Sequence, residues 1–248
     1  MIKNFARKLI DYIFDKLSVN RGNINLNDVS GALHKSWGHI FNNNLHGFYI
    51  ELGVYKGNSA IKSLNNFNQM KIWFNQQKIS DEHWRREVVN SSPLNQIINF
   101  HFLDTFEGMP ANNENNKSFA EGNYISNLQD IKKNIEKYSK KDSNCYFYKG
   151  LFSDCENDIK KNIGLEKVAI ANIDCDLESS TVDALNIVGP YLQIGSIILF
   201  DDYNCYNSNN AFGQRKAFKD YTKTSIFIFE KFFNYGYGGQ SFLVVDKK

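Results

Sequence analysis

The stretch Val168–Tyr203, VAIANIDCDLESSTVDALNIVGPYLQIGSIILFDDY, decides the reading of this chain. It holds two apolar runs, and each ends in carboxylates: Asp174 and Asp176 after the first, Asp201 and Asp202 after the second. The segment between them carries a helix-start signal, in which Ser180 with Asp183 reads as a capping box, and a Gly189-Pro190 stop. Strand, helix, strand in this order predicts a parallel pair, and neighbouring parallel strands end on the same sheet edge. If the two strands are neighbours, four acids meet in one crevice, where like charges repel unless a cation or a proton sits among them. The pattern therefore predicts a metal-dependent active site.

Upstream, GFYIELGV (Gly47–Val54) reads as a buried strand, and a helical pattern begins near Asn58-Ser59. The turn between them has the spacing Glu51-x-Gly53-x-x-x-Gly57, which is not the dinucleotide pattern G-x-G-x-x-G. INFHFLDTFEGMP (Ile98–Pro110) is a second strand ending at Asp104, the position where such folds hold ribose hydroxyls. The polar segment ANNENNKSFAEGNY (Ala111–Tyr124) is a lid candidate. A helix is expected over Leu128–Tyr138, a third strand over Asn144–Phe152 with Asp154 beyond its end, and a later helix near Ala211–Tyr221. The strands SIFIFE (Ser225–Glu230) and SFLVVDK (Ser241–Lys247) are joined by FFNYGYGGQ, too short for a helical crossover, so they form an antiparallel pair.

The remaining sequence narrows the function classes. The 248 residues carry 29 Lys+Arg against 27 Asp+Glu, and a net charge of +2 argues against a dedicated nucleic-acid binder. Four cysteines without CxxC spacing indicate neither a disulfide framework nor a zinc site, and they fit a reducing cytoplasm. The start, MIKNFARKLIDYIFDKL, has apolar residues at helical spacing but charges in every apolar run, so it reads as an amphipathic helix rather than a signal peptide. No run reaches membrane-spanning length. Residues 20–46 are polar and mixed, and His34 and His39 there are read as ordinary surface or core histidines. The expected organisation is an N-terminal helical extension over 1–46 and a catalytic domain over 47–248. A helical insertion covers about 65–97, where the chain is longer than a crossover needs. The N-terminal helix and this insertion are the candidate surfaces for a homodimer.

Taken in order, ELGVYKGNSA, DTFEGMP, GLFSD, the NIDCDLESST block and ILFDDY resemble the macrocin-type (TylF/MycF) sugar O-methyltransferases, over roughly Gly47–Tyr221. The resemblance implies a class I methyltransferase fold: an α/β, doubly wound, mainly parallel seven-stranded sheet with a C-terminal antiparallel strand pair. It also implies S-adenosylmethionine and Mg²⁺ as cofactors and an acceptor with neighbouring hydroxyls, such as a glycan, a nucleotide sugar or a glycosylated natural product. Carried over residue by residue, Glu51, Gly53, Tyr55 and Ser59 would line the methionine part of the cofactor. Asp104 would hold the ribose, and Phe152, Ser153 and Asp154 would sit near the adenine. Asp174 would serve both cofactor and metal, Asp201 and Asp202 would complete the metal set, and Asp176 occupies the position of a general base. Some relatives use a late histidine as base, but no histidine follows His101 here, which moves the assignment to Asp176. Tyr237 and Gln240 are acceptor contacts at most. A catechol-type O-methyltransferase and a non-catalytic cofactor-binding module of the same fold are the competing readings.

Overall fold

The computed structural model describes residues 28–77, 96–114 and 116–248. The amphipathic N-terminal helix and most of the 65–97 insertion fall outside the described residues. The helices are α1 (Val29–Asn42), α2 (Asn58–Gln77), α3 (Leu128–Glu136), α4 (Phe152–Ile163), α5 (Glu178–Val188) and α6 (Gly213–Thr224). The strands are β1 (Phe48–Leu52), β2 (Ile98–Asp104), β3 (Ser143–Lys149), β4 (Val168–Ile173), β5 (Ile197–Phe200), β6 (Phe227–Tyr235) and β7 (Gly239–Lys247). They form one seven-stranded sheet in the order β3-β2-β1-β4-β5-β7-β6. The pairs among β1 to β5 are parallel, and β7 is antiparallel to both β5 and β6. This is the architecture of a class I methyltransferase.

The strands read as continuous apolar runs because both faces of the sheet are covered. Along β1, Phe48, Ile50 and Leu52 face a core built with Phe152, Ile159, Leu185 and Phe218, beneath α4, α5 and α6. Tyr49 faces the opposite core, with Trp37, Phe67 and Phe100, beneath α1, α2 and α3. The Trp37 ring lies 5.1 Å from Phe67 and 5.7 Å from Phe100, and its indole N–H donates to Ser63 Oγ at 3.0 Å.

Several boundaries differ from the sequence reading. α1 lies within the helical extension expected over 1–46, in the part where the sequence reading set no helix bounds. Its buried Ala32, Leu33, Trp37, Ile40 and Phe41 make a helical stripe, and Asp28 caps its start by accepting from Ser30 N–H at 2.7 Å. α2 runs unbroken to Gln77, past residue 65 where the insertion was expected to begin. β3 ends at Lys149, and Phe152 opens a helix rather than closing a strand, with Asp154 in that helix's first turn. β6 extends to Tyr235 because Phe227 and Tyr235 both bury their rings, which leaves only 236–238 as the hairpin link.

The register places the site. Leu52 pairs with Leu103 and with Ile173, and Ile173 pairs with Phe200. The ladder continues one residue further, with Gly53 N–H donating to Leu103 O at 2.9 Å and Asp174 N–H to Leu52 O at 2.9 Å. Asp104, Gly53, Asp174 and Asp201 therefore stand side by side along one sheet edge.

Candidate active site

The adjacency of β4 and β5 brings the four acids of the two strand ends together. One carboxylate oxygen from each of Asp174, Asp201 and Asp202 lies within 4.8 Å of the others. Asp176 follows with a left-handed backbone (φ 60°), unusual for a residue with a Cβ, and its carboxyl lies close enough to that of Asp202 to feel its charge. Burial and this crowding raise the pKa values of Asp174, Asp176 and Asp201. Asp174 is pushed well up, first by burial and then by Asp201 and Asp202. Asp176 is raised to about 9 by burial and by Asp202. Asp201 is raised to about 6 by burial and Asp202, against the charge of Lys62, which pulls it down. Carboxylates held this close gain by sharing a cation, and hard oxygen donors select Mg²⁺ or a similar ion. An octahedral Mg²⁺ spaces its oxygens roughly 3–4 Å apart, so the three aspartates fit it with small side-chain adjustments.

Two further elements brace this cluster. Gln214 of α6, fully buried, accepts from Asp202 N–H at 3.0 Å and donates to Ile173 O at 3.0 Å, tying the ends of β4 and β5 to one side chain. The Cys205 thiol donates to Asp202 Oδ1 at 3.1 Å, and burial beside Asp202 pushes its pKa to about 12.

Beside the acids lies a cavity of about 450 Å³. Of the residues predicted to bind cofactor, Gly53, Tyr55, Asp104, Phe152 and Asp174 line it. Glu51 and Ser59 lie behind that wall. Glu51 is fully buried and accepts from Tyr49 OH and Ser59 Oγ at 2.6 Å each, and burial raises its pKa to about 7. Ser153 and Asp154 are exposed on the first turn of α4, away from the cavity wall.

Asp104 is more occupied than its sequence position suggests. Its Oδ2 accepts from Val54 N–H and Tyr55 N–H, and its Oδ1 from Phe106 N–H, each at 2.7 Å. The Thr105 hydroxyl also approaches Oδ1, at 3.5 Å. A carboxylate offers about four acceptor positions, so a ribose hydroxyl could take only the one this long contact holds weakly, instead of a two-point grip. The side chain also clamps the glycine turn after β1 onto the end of β2.

Reading the residues one by one missed Glu114, Tyr206 and Gln214. Glu114 sits in the polar loop after β2, which asparagines tie into a compact unit: Asn112 donates to Phe119 O at 3.0 Å and Asn123 to Ser118 O at 3.1 Å. One Glu114 oxygen accepts from Glu178 N–H at the start of α5, and the other accepts from Tyr206 OH at 2.5 Å. The predicted Ser180–Asp183 capping box is therefore not the one used. α5 starts after Leu177, which has no side-chain cap bond, and a carboxylate from a distant loop takes the capping role. The lone acid among asparagines was the only hint in the sequence, since its partners are 64 and 92 residues away.

The family model for macrocin-O-methyltransferase (TylF) matches residues 91–227. This chain belongs to that family. It is accordingly an S-adenosylmethionine-dependent O-methyltransferase of the sugar and natural-product type. No curated protein matches the chain. Among solved structures, the O-methyltransferase NovP is 17% identical over 87% of this chain and 79% of its own, with a TM-score of 0.61. The calicheamicin methyltransferase CalS11 is 15% identical over 86% of this chain and 77% of its own, also at 0.61. An O-methyltransferase from Bacillus cereus in complex with SAH is 16% identical over 93% of this chain and 88% of its own, at 0.51. These three share the fold. Among the described residues, no helix is long and apolar enough to cross a membrane.

Proposed function

We propose that this member of the macrocin-O-methyltransferase family is Mg²⁺-dependent and methylates a sugar hydroxyl that has a neighbouring hydroxyl. The observation that carries the reading is the convergence of Asp174, Asp201 and Asp202, with Asp176 next to the set, beside the cavity. When bound, S-adenosylmethionine supplies an activated methyl group on a sulfonium and Mg²⁺ supplies Lewis acidity that favours the deprotonated hydroxyl.

The protein's own tasks are positioning and proton handling. Asp174, Asp201 and Asp202 would hold the cation beside the acceptor end of the cavity, where it would supply Lewis acidity. Asp176 takes the hydroxyl proton. Burial and Asp202 raise its pKa, and a divalent cation held by the neighbouring aspartates would lower it and favour the ionised form. Tyr55, Asp104 and Phe152 form the cofactor wall, with Glu51 and Ser59 supporting the glycine turn from behind. The four free cysteines and the need for S-adenosylmethionine suit the cytoplasm.

A methyl-transfer assay against glycosides, nucleotide sugars and catechol, with and without Mg²⁺, tests the proposal. Transfer to a sugar hydroxyl that stops on chelation with EDTA and returns with Mg²⁺ is the expected outcome. Undiminished transfer in EDTA, or transfer to catechol alone, would overturn it.

A further inference from the structure

Beyond the metal set, on the same sheet edge, one buried hydroxyl is unpaired. Tyr235, at the end of β6, is 2% exposed, and among the described residues its OH has no hydrogen-bond partner. A buried hydroxyl without a partner costs free energy, so each such group in a folded protein calls for a reason.

The register places this hydroxyl beside the acids. Tyr235 pairs with Gly239 of β7, and the next residue of β7, Gln240, pairs with Phe200 of β5. The following step of that antiparallel ladder sets Gly239 opposite Asp201. The hairpin turn is held there: Asn204 N–H donates to Gly238 O at 2.8 Å, and a Cβ on Gly238 would stand 3.2 Å from Asp201 O. Tyr235, Gly239 and Asp201 thus form one row across three strands. Leu199 and Tyr235 share a core, and Asp201, two residues on from Leu199, continues on that face of the sheet. The backbone of Gly239 is not left-handed, so its conformation admits any residue. A Cβ there would nevertheless stand 2.6, 2.7 and 2.8 Å from three atoms of the Tyr235 ring. The ring lies over this glycine. Burial, and then the charges of Asp201, Asp174 and Asp202, hold the phenol well above its ordinary pKa, so it keeps its proton to donate.

The carboxyl of Asp201 lacks a donor of its own. The hydrogen bonds of the acid set go to Asp202, whose backbone N–H is held by Gln214 and whose Oδ1 accepts from Cys205. Among the described residues none reaches the carboxyl of Asp201, on which burial, the charge of Asp202 and, from α2, the charge of Lys62 act. A carboxylate that ligates a metal is normally oriented by a hydrogen bond of its own.

We infer that Tyr235 is a positioning residue of the metal site: its hydroxyl donates to the carboxylate of Asp201 when the three aspartates draw round a divalent cation. The two groups are not hydrogen-bonded as they stand, and the small side-chain adjustment that fits the aspartates to one ion joins them. One oxygen of Asp201 then serves the ion and the other the phenol. Tyr235 does not line the cavity, so it acts through Asp201 alone. The inference rests on the Mg²⁺-dependent reading above and adds a residue to that site.

The test uses the full chain. Binding of S-adenosylhomocysteine is measured first by calorimetry. Mn²⁺ is then titrated in and followed by electron paramagnetic resonance, with Mg²⁺ as competitor. Tyr235→Phe keeps the ring and removes the hydroxyl. It should weaken both ions by about tenfold and leave the S-adenosylhomocysteine Kd unchanged. The urea midpoint of the metal-free variant should hold or rise, because the deleted hydroxyl was unpaired. A Mn²⁺ Kd within about twofold of wild type would overturn the inference, as would a weakening matched by a loss of metal-free stability. Gly239→Ala displaces the ring. It should weaken Mn²⁺ in the otherwise wild-type chain, but by less than about twofold in the Tyr235→Phe protein. Equal losses in the two backgrounds would overturn the inference. If the wild type binds S-adenosylhomocysteine but neither ion, the Mg²⁺ reading itself falls, and the inference with it.

Discussion

Glu114 and Tyr206, 92 residues apart in sequence, share a 2.5 Å hydrogen bond between the loop after β2 and the loop after β5. The phenol donates and the carboxylate accepts, while the other oxygen of Glu114 holds the start of α5. Phe119, which lines the cavity, lies 5.9 Å from the Tyr206 ring, and Phe212 stacks on that ring at 6.1 Å. Three segments around the cavity are thus fixed by one carboxylate. Tyr206→Phe removes the hydrogen bond and keeps the ring. It should lower stability by about 1 kcal/mol and raise the acceptor KM several-fold, with the S-adenosylhomocysteine Kd unchanged. Urea unfolding, steady-state kinetics and calorimetry together check this, and a changed cofactor Kd with an unchanged acceptor KM would contradict it.

The two roles assigned within the acid cluster separate by substitution. Asp202→Ala should abolish metal-dependent transfer and Mg²⁺ binding while S-adenosylhomocysteine still binds. Asp176→Asn should keep Mg²⁺ binding and lose about 10²–10⁴-fold in kcat, the usual contribution of a positioned base. Its residual rate should lose the acidic limb of the wild-type pH profile. A full loss of Mg²⁺ binding in Asp176→Asn would move that residue into the metal set.

The acids at the strand ends were legible in the sequence because strand termini and sheet edge are both set by local pattern. Once β4 and β5 are neighbours, Asp174 and Asp201 have no other place to go. Asp104 was legible as an acid at a strand tip, but its bonding was not, because its partners Val54 and Tyr55 come from a turn about 50 residues earlier. Gln214 carries no signal at all: an amide in a polar helix start becomes a brace only when α6 packs over the ends of β4 and β5. The bounds of α1, inside the expected helical extension, were not legible because Trp37 and Phe41 stand in a background of glycine, histidine and asparagine that dilutes the helical stripe.

Glu51 gives a pH dependence of opposite sign to a salt-bridged acid. Burial raises its pKa from 4.5 to about 7, so the folded state holds the proton more tightly than the unfolded chain does. Its stabilising contribution is complete below about pH 4.5 and is lost as the pH rises through about 7, a change of about 3 kcal/mol. Glu51→Gln removes this titration. Urea unfolding of the ligand-free protein between pH 5 and 8 should show wild type losing stability relative to Glu51→Gln across that range. Parallel curves would mean that Glu51 titrates near its ordinary value.

Gly53 has no substitute at its position. Its φ is +96°, and a Cβ there would stand 1.8 Å from Asp174 O and 2.6 Å from Asp174 C. The backbone cannot retreat, since Gly53 N–H is held by Leu103 O and Asp174 N–H by Leu52 O, both at 2.9 Å. Gly53→Ala must therefore push the end of β4 outward, and with it the first aspartate of the metal set. Gly122→Ala is the control: its φ is +79°, but a Cβ there meets nothing within 4 Å, so it suffers backbone strain alone, about 1–2 kcal/mol. Gly53→Ala should cost at least about 3 kcal/mol and weaken both S-adenosylhomocysteine and Mg²⁺ binding in the protein that still folds. Equal losses in the two variants would show that the contact between the β1 turn and Asp174 is looser than the hydrogen-bonded ladder implies.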